Sequence, residues 1–280
     1  MDLQWGYNNV QIKEKDKWKT AFMTLERSFK LTVMFFELMN LPMIFQTMMN
    51  KILWNLINIG KVASFINNVI IGIEEEEKHD ELVEEVVKRL VENGLYVKPE
   101  KCKWKVKKVG FLEVVIGPEG IKMEEEKVKG VLDWLTPKCV KDIQKFLGLV
   151  NYYHQFIKDF ISIAWPLHDL VKKEQKWEWT GRQQKVFEKL KGRFTKEPVL
   201  AAPDLDKKMR MKVDASDYAT GGVLSMEYEN GKWRPVAFLS KSLNETERNY
   251  EIHDKKMLAV VRGLENWRHL LEGAKYKFKV

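Results

Sequence analysis

The chain has 280 residues, enough for about two domains, and its 45% hydrophobic and 31% charged content is that of a globular protein. No run approaches the roughly 18 apolar residues of a membrane span, and no basic stretch followed by an apolar one opens the chain, so neither a membrane helix nor a signal peptide is expected. The net charge of +8, with a pI near 9.2, suits a polyanionic partner and equally a merely lysine-rich surface.

In chain order, "NNVQIKEKDKWKTAF" (8–22) alternates and carries turn residues, which predicts a strand pair. "NLPMIFQTMMNKILWNLI" (40–57) predicts a helix, with Pro42 in its first turn and Phe45, Met48, Met49, Ile52, Leu53 and Leu56 at helical spacing. "SFINNVIIG" reads as strand, two-residue turn at Asn67-Asn68, strand. "EEEEKHDELVEEVVKRLVENGLYV" is an amphipathic helix with Leu82, Val83, Val86, Val87, Leu90 and Val91 on its apolar face, and Gly94 stops it. Its acidic run is a solvated helix start that suits the dipole, not a metal site. "CKWKVKKVGFLEVVIGPEGIKM" predicts a hairpin turning at Gly117-Pro118-Glu119-Gly120. Residues 124–195 read as helices, with caps near Thr136-Pro137 and at Thr180. The turn-rich segment 195–208 marks a domain boundary. Beyond it come three strands, a helix over "NYEIHDKKMLAVVRGLENWRHLLEG", and a strand-like "YKFKV". Cys102 and Cys139 lack metal-ligand spacing and read as reduced thiols of an intracellular protein.

Six blocks in this order carry a resemblance: "DLQWGYNNVQI", "FFELMNLPMIFQ", "FINNVIIG", "GFLEVVIGPEGI", "KFLGLVNYYHQFIKDFISIAWPLHDL" and "VDASDYATGGVL". They resemble polymerase motifs A, B and C, the primer-grip hairpin, the connecting segment and the first RNase H strand of gypsy-type LTR retrotransposons, over essentially the whole chain. The resemblance implies an α+β and α/β architecture: a right-hand polymerase palm (1–123), thumb and connection helices (124–197), and a mixed-sheet RNase H-like domain (198–280). The fingers strands, which would precede Asp2, are expected to be largely missing. The RNase H-like domain is expected to be truncated, since its last two carboxylates would lie beyond Val280.

By the same resemblance, Asp2 is the motif A metal ligand and Tyr7 the gate under the incoming sugar. Phe36 and Gln46 would line the nucleotide and template side, and Phe111, Leu112 and Glu113 would form the primer grip. Both chemistries in the family use pairs of Mg²⁺ ions held by carboxylates, because Mg²⁺ prefers hard anionic oxygens in octahedral geometry. Motif C should supply two aspartates, and the chain has Asn67 and Asn68. In the RNase H site Asp214 matches the first carboxylate, but the expected glutamate is Lys256. That leaves Asp2 and Asp214 as the metal-binding candidates. Loss of the motif C charges predicts a rate loss on the order of 10³-fold or more.

Further departures are Glu37 and Glu113 for glycines, Leu41 for a small residue, Leu135 for a proline and Trp165 for a basic residue. Each is reachable by a single C→T or G→A change, which predicts a decayed element copy. The expected partner is an RNA/DNA primer–template. The expected location is the cytoplasm, the nucleus or a retroelement particle. Competing readings are a remnant without selected activity, a nucleic-acid binder using Lys101, Lys103, Lys105, Lys107 and Lys108 on a strand beside Trp104, a non-catalytic partner of an intact polymerase subunit, and a weak enzyme using Asp2 alone.

Overall fold

The computed structural model describes residues 1–280 except Phe36, Glu37, Glu74, Glu174, Glu197, Pro198, Glu229 and Asn230. The chain divides into two compact units, Met1–Val106 and Lys107–Val280.

In the first unit, β1 (Leu3–Gln4) is followed by two 3-10 helices, Gly6–Asn9 and Glu14–Thr20, and by the short strands β2 (Phe22–Met23) and β3 (Ser28–Phe29). Then come α1 (Leu41–Ile52), α2 (Trp54–Asn58), β4 (Val62–Phe65), β5 (Asn68–Ile71), α3 (Glu76–Glu92) and β6 (Tyr96–Val97). An antiparallel bridge between Asp2 and Asn68 joins the pairs β4–β5 and β1–β6 into one sheet of order β4-β5-β1-β6. The helical stripes face it. Phe45 and Met49 of α1, and Leu82, Val86 and Leu90 of α3, are buried with Leu3, Val62 and Val69 of the strands. Full burial of each such side chain contributes about 1.5–3 kcal/mol. Gly94, at φ +71, ends α3 in the left-handed conformation, and Leu95 N–H closes the turn on Leu90 O at 2.9 Å. The helix expected over 40–57 breaks at Leu53, which is itself fully buried.

The strand pair expected over residues 8–22 does not form. The alternation there is of lysines, not of apolar residues, so no sheet face gains from it. Local pairs win instead: Lys17 with Glu14 at 2.5 Å and Lys19 with Asp16 at 2.7 Å close helical turns. Thr20 Oγ1 donates to Lys17 O at 2.7 Å.

The second unit opens with a three-stranded meander, β7 (Val109–Phe111), β8 (Val114–Gly117) and β9 (Gly120–Met123). The expected turn at 117–120 is present between β8 and β9. Gly120 is required there, since at φ +124 a Cβ would lie 2.1 Å from Leu200 O. Four helices follow: α4 (Glu125–Leu132), α5 (Val140–Tyr152), α6 (Phe160–Asp169) and α7 (Gly181–Lys196). They share a core of Ile143, Phe146, Phe160, Leu167, Phe187 and Leu190. Thr180 caps α7, its Oγ1 accepting from Arg182 N–H at 3.3 Å.

The chain then forms an antiparallel sheet of β10 (Met209–Ala215), β11 (Ala219–Glu227) and β12 (Trp233–Ser242). The short α8 (Glu245–Arg248), α9 (Ile252–Asn266) and α10 (Arg268–Leu271) come after it. Met209, Met211, Leu224, Trp267 and Leu271 form the core between this sheet and its helices. The final segment makes a parallel bridge, Lys279 to Arg210, so the sheet is mixed, as expected. A buried tie closes this region: Arg262 donates to both Glu247 oxygens at 2.8 Å and to Thr220 Oγ1 at 3.1 Å.

Candidate active sites

The turn between β4 and β5 is one residue earlier than expected. Phe65 pairs with Asn68, so Ile66 and Asn67 form the turn and Asn68 begins β5. The reason is visible in α1. Gln46 Oε1 accepts the Ile66 N–H at 2.7 Å, and Gln46 Nε2 donates to Ser64 O at 3.0 Å. This clamp holds Ile66 at φ +52, a conformation that is costly for a β-branched residue and persists only when its surroundings enforce it. Gln46, expected on the nucleotide and template side, thus braces the hairpin tip.

The tip presents Asn67 to Asp2. Asn67 Nδ2 donates to Asp2 Oδ1 at 2.9 Å, and Asn68 Nδ2 donates to Asn67 Oδ1 at 3.4 Å. Lys101 Nζ lies 3.6 Å from Asp2 Oδ2. A carboxylate has no proton to donate, so Asn67 must turn its NH₂ end to Asp2, and its oxygen then faces Asn68. Asp2, Asn67 and Lys101 border a cavity of about 530 Å³ that Tyr7, Phe45 and Lys98 also line. Tyr7 packs edge-on against Phe45, ring centroids 5.1 Å apart, and burial raises the pKa of its phenol. Phe36 and Glu37 lie outside the described residues.

These donors do not fit a pair of Mg²⁺ ions. One carboxylate is present, both its oxygens face N–H donors, and its neighbours are two neutral amides and an ammonium. Among the described residues no three His, Cys, Asp or Glu side chains group as metal ligands.

The proposed primer grip lies in the second unit. Phe111 pairs with Val114, so Leu112 and Glu113 form a two-residue turn at φ +51 and +60. Positive φ at both positions marks a type I′ turn, which favours glycine or asparagine. Two side chains that sequence reasoning missed secure it. Tyr152 and Tyr153 donate to Leu112 O at 3.0 Å and Glu113 O at 3.2 Å. Burial, and secondarily the Glu113 charge, pushes the Tyr153 pKa well up, so its phenol keeps the proton it donates. The adjacent pair in "NYYHQF" was the available signal, because a buried tyrosine hydroxyl needs a partner.

Asp214, on β10 opposite Gly221, is exposed, and its Oδ1 accepts the Ala215 N–H at 2.9 Å. Lys256, on α9, is exposed too and forms no ion pair with Asp214. Its neighbour Lys255 is buried and pairs with Asp217 at 3.2 Å. Trp165 stacks on Tyr218, centroids 5.5 Å apart, and Arg248 lies 4.6 Å over its ring. Leu135 is 82% exposed, and nothing in its surroundings explains a leucine there.

The lysine stretch 101–108 is not a strand, contrary to expectation. Lys101 ends a 3-10 turn and Lys105 sits at φ +50. The run lacks the apolar face that would fix a strand register. Its lysines instead reach local acids: Lys105 pairs with Asp80 at 2.7 Å and Lys108 with Glu119 at 3.7 Å.

The model of the reverse transcriptase (RNA-dependent DNA polymerase) family matches residues 1–150. The chain belongs to that family. A second model, the RNase H-like domain found in reverse transcriptase, matches residues 179–280. The Tf2-7 and Tf2-3 transposon polyproteins of Schizosaccharomyces pombe are each 32% identical to this reverse transcriptase homologue over all 280 residues. The resemblance to gypsy-type LTR retrotransposons is thereby borne out. The chain spans 21% of the length of these curated relatives. Among solved structures, the foamy viral protease-reverse transcriptase in complex with RNA/DNA hybrid superposes with a TM-score of 0.83 at 23% identity, covering 96% of this chain and 36% of that one. The dRH form in complex with ds DNA gives 0.82 at 22%, covering 99% and 48%. The fold is therefore that of a mixed α/β reverse transcriptase domain followed by an RNase H-like domain. Among the described residues no helix is long and apolar enough to cross a membrane.

Proposed function

We propose that this chain is a palm (1–123), thumb and connection (124–197) and RNase H-like (198–280) segment of a retrotransposon polyprotein that engages a primer–template without catalysing synthesis. The observation that carries this reading is the Asp2 network. Asp2 stands where the family's first carboxylate belongs, and its counterparts are Asn67, Asn68 and Lys101. Nucleotidyl transfer needs negative charge to hold two dications against the triphosphate. Asn67 and Asn68 supply none, and Lys101 repels a dication. The same argument applies at Asp214, where Lys256 takes the place of the expected glutamate. Tyr7 in the Asp2 cavity, and the tyrosine-braced turn of Phe111, Leu112 and Glu113, support a retained scaffold for nucleic acid. The foamy viral complexes with RNA/DNA hybrid and with ds DNA support that class of partner.

Primer extension on an RNA template with Mg²⁺ or Mn²⁺, beside an intact reverse transcriptase, tests the reading. The expected rate is at least about 10³-fold below the intact enzyme, with no cleavage of the RNA strand in a hybrid. Extension within tenfold of the intact enzyme overturns it.

A further inference from the structure

The mismatch between the Asp2 site and a dication has a consequence for folding. Asp2 and Asn68 are direct partners in the bridge that completes the sheet. Asn67 lies within hydrogen-bond reach of the same carboxylate. The backbone is stitched at the same place: Leu3 N–H donates to Asn67 O at 2.8 Å, and Val69 N–H to Met1 O at 2.9 Å. Aspartates at 67 and 68 would put three carboxylates on this one seam. Like charges directly opposite on paired strands destabilise them, and carboxylates that share a site cannot all ionise without a counter-ion. With asparagines, the Asp2 carboxylate meets two neutral amides and the Lys101 ammonium instead of two further carboxylates.

We infer that the Asn67 amide and the Lys101 ammonium replace a divalent cation as the partners of the Asp2 carboxylate, so that the seam between β1 and β5 closes without metal. Asp2 becomes a structural tie between β1, the β4–β5 turn and the 3-10 turn that ends at Lys101. This rests on the reading of Asp2 as the family's metal-ligand position. It concerns stability, so it is tested without nucleotide or nucleic acid, where failure to polymerise has no bearing.

The experiment compares the full chain with its N67D/N68D variant by thermal melting in EDTA and in Mn²⁺, with bound Mn²⁺ counted from the loss of the free-ion EPR signal. The unaltered chain is expected to melt at the same temperature in both media and to bind no Mn²⁺ that depends on Asp2. The N67D/N68D variant is expected to melt about 5 °C lower in EDTA, to recover in Mn²⁺, and to lose that recovery when Asp2→Asn is added. Asn67→Ala removes the donor without adding charge, so it should lower the melting temperature and show no response to Mn²⁺. It keeps the test decisive if the double variant fails to fold in EDTA. Asp2-dependent Mn²⁺ binding by the unaltered chain overturns the inference. So does an Asn67→Ala protein as stable as the parent, or a double variant that is no less stable in EDTA.

Discussion

Glu113 shows how a single residue can disagree with the backbone that holds it. Its φ of +60, after Leu112 at +51, belongs to a turn that glycine enters freely and other L-residues enter at a cost of roughly 1–2 kcal/mol. The turn persists because Tyr152 and Tyr153 fix its carbonyls. The Glu113 carboxylate reaches Lys127 at 3.1 Å, but that pair is solvent-exposed, and such pairs contribute little. Glu113→Gly should therefore stabilise the protein by about 1 kcal/mol, read as a higher urea midpoint with an unchanged slope. A lower midpoint would mean that the ion pair outweighs the backbone strain. Asn67 is the contrary case, since its amide satisfies Asp2 and its replacement by aspartate removes a bond.

At the scale of elements, the Arg262–Glu247 tie makes a pH-dependent contribution. Glu247 closes the capping box of α8 with Asn244, and both its oxygens accept from Arg262 Nη2. The Asn244 backbone N–H, and then the Arg262 charge, hold its carboxyl below the ordinary value of 4.5. A folded-state pKa below the unfolded one means that the stability it brings is fully present above the unfolded pKa. That stability is lost as pH falls through the folded pKa. Glu247→Gln should thus lower the urea midpoint at pH 7, and the gap from the parent should shrink steadily below pH 4.5. A gap that stays constant down to pH 2.5 would count against the ionised tie. Elements with apolar periodicity were legible in advance: α1, α3, the β8–β9 turn and the strands β10 to β12. The misses share a cause. In residues 8–22 and 101–108 the regular pattern is of lysines, and charge alternation carries no burial energy to select a strand. The one-residue shift of the β4–β5 turn depends on Gln46, some 20 residues away, which no local pattern encodes.

Across the whole molecule, the departures expected from the family resemblance occupy unrelated places: the β4–β5 turn, the β7–β8 turn, the exposed Leu135, α6 and α9. Among the described residues no shared structural role unites them, and the expectation of a common mutational origin needs none. Position in the sequence proposes the candidate residues but says nothing of their pairing. That Lys101 faces Asp2, and that Lys255 takes Asp217 while Lys256 stays in solvent, follows from packing between distant segments. The chain that carries these substitutions has a net charge of +8. Attraction of lysine and arginine to phosphate needs no metal, and it works through release of counter-ions condensed on the duplex. The proposed primer–template binding should therefore be unchanged by EDTA and fall linearly in log affinity with log salt. Four to six phosphate contacts would give a slope of about −3.6 to −5.4. Filter binding over a salt series, with and without Mg²⁺, measures both quantities. Binding that requires Mg²⁺ would place a functioning dication site in this chain, and absence of binding at low salt would remove nucleic acid from its partners.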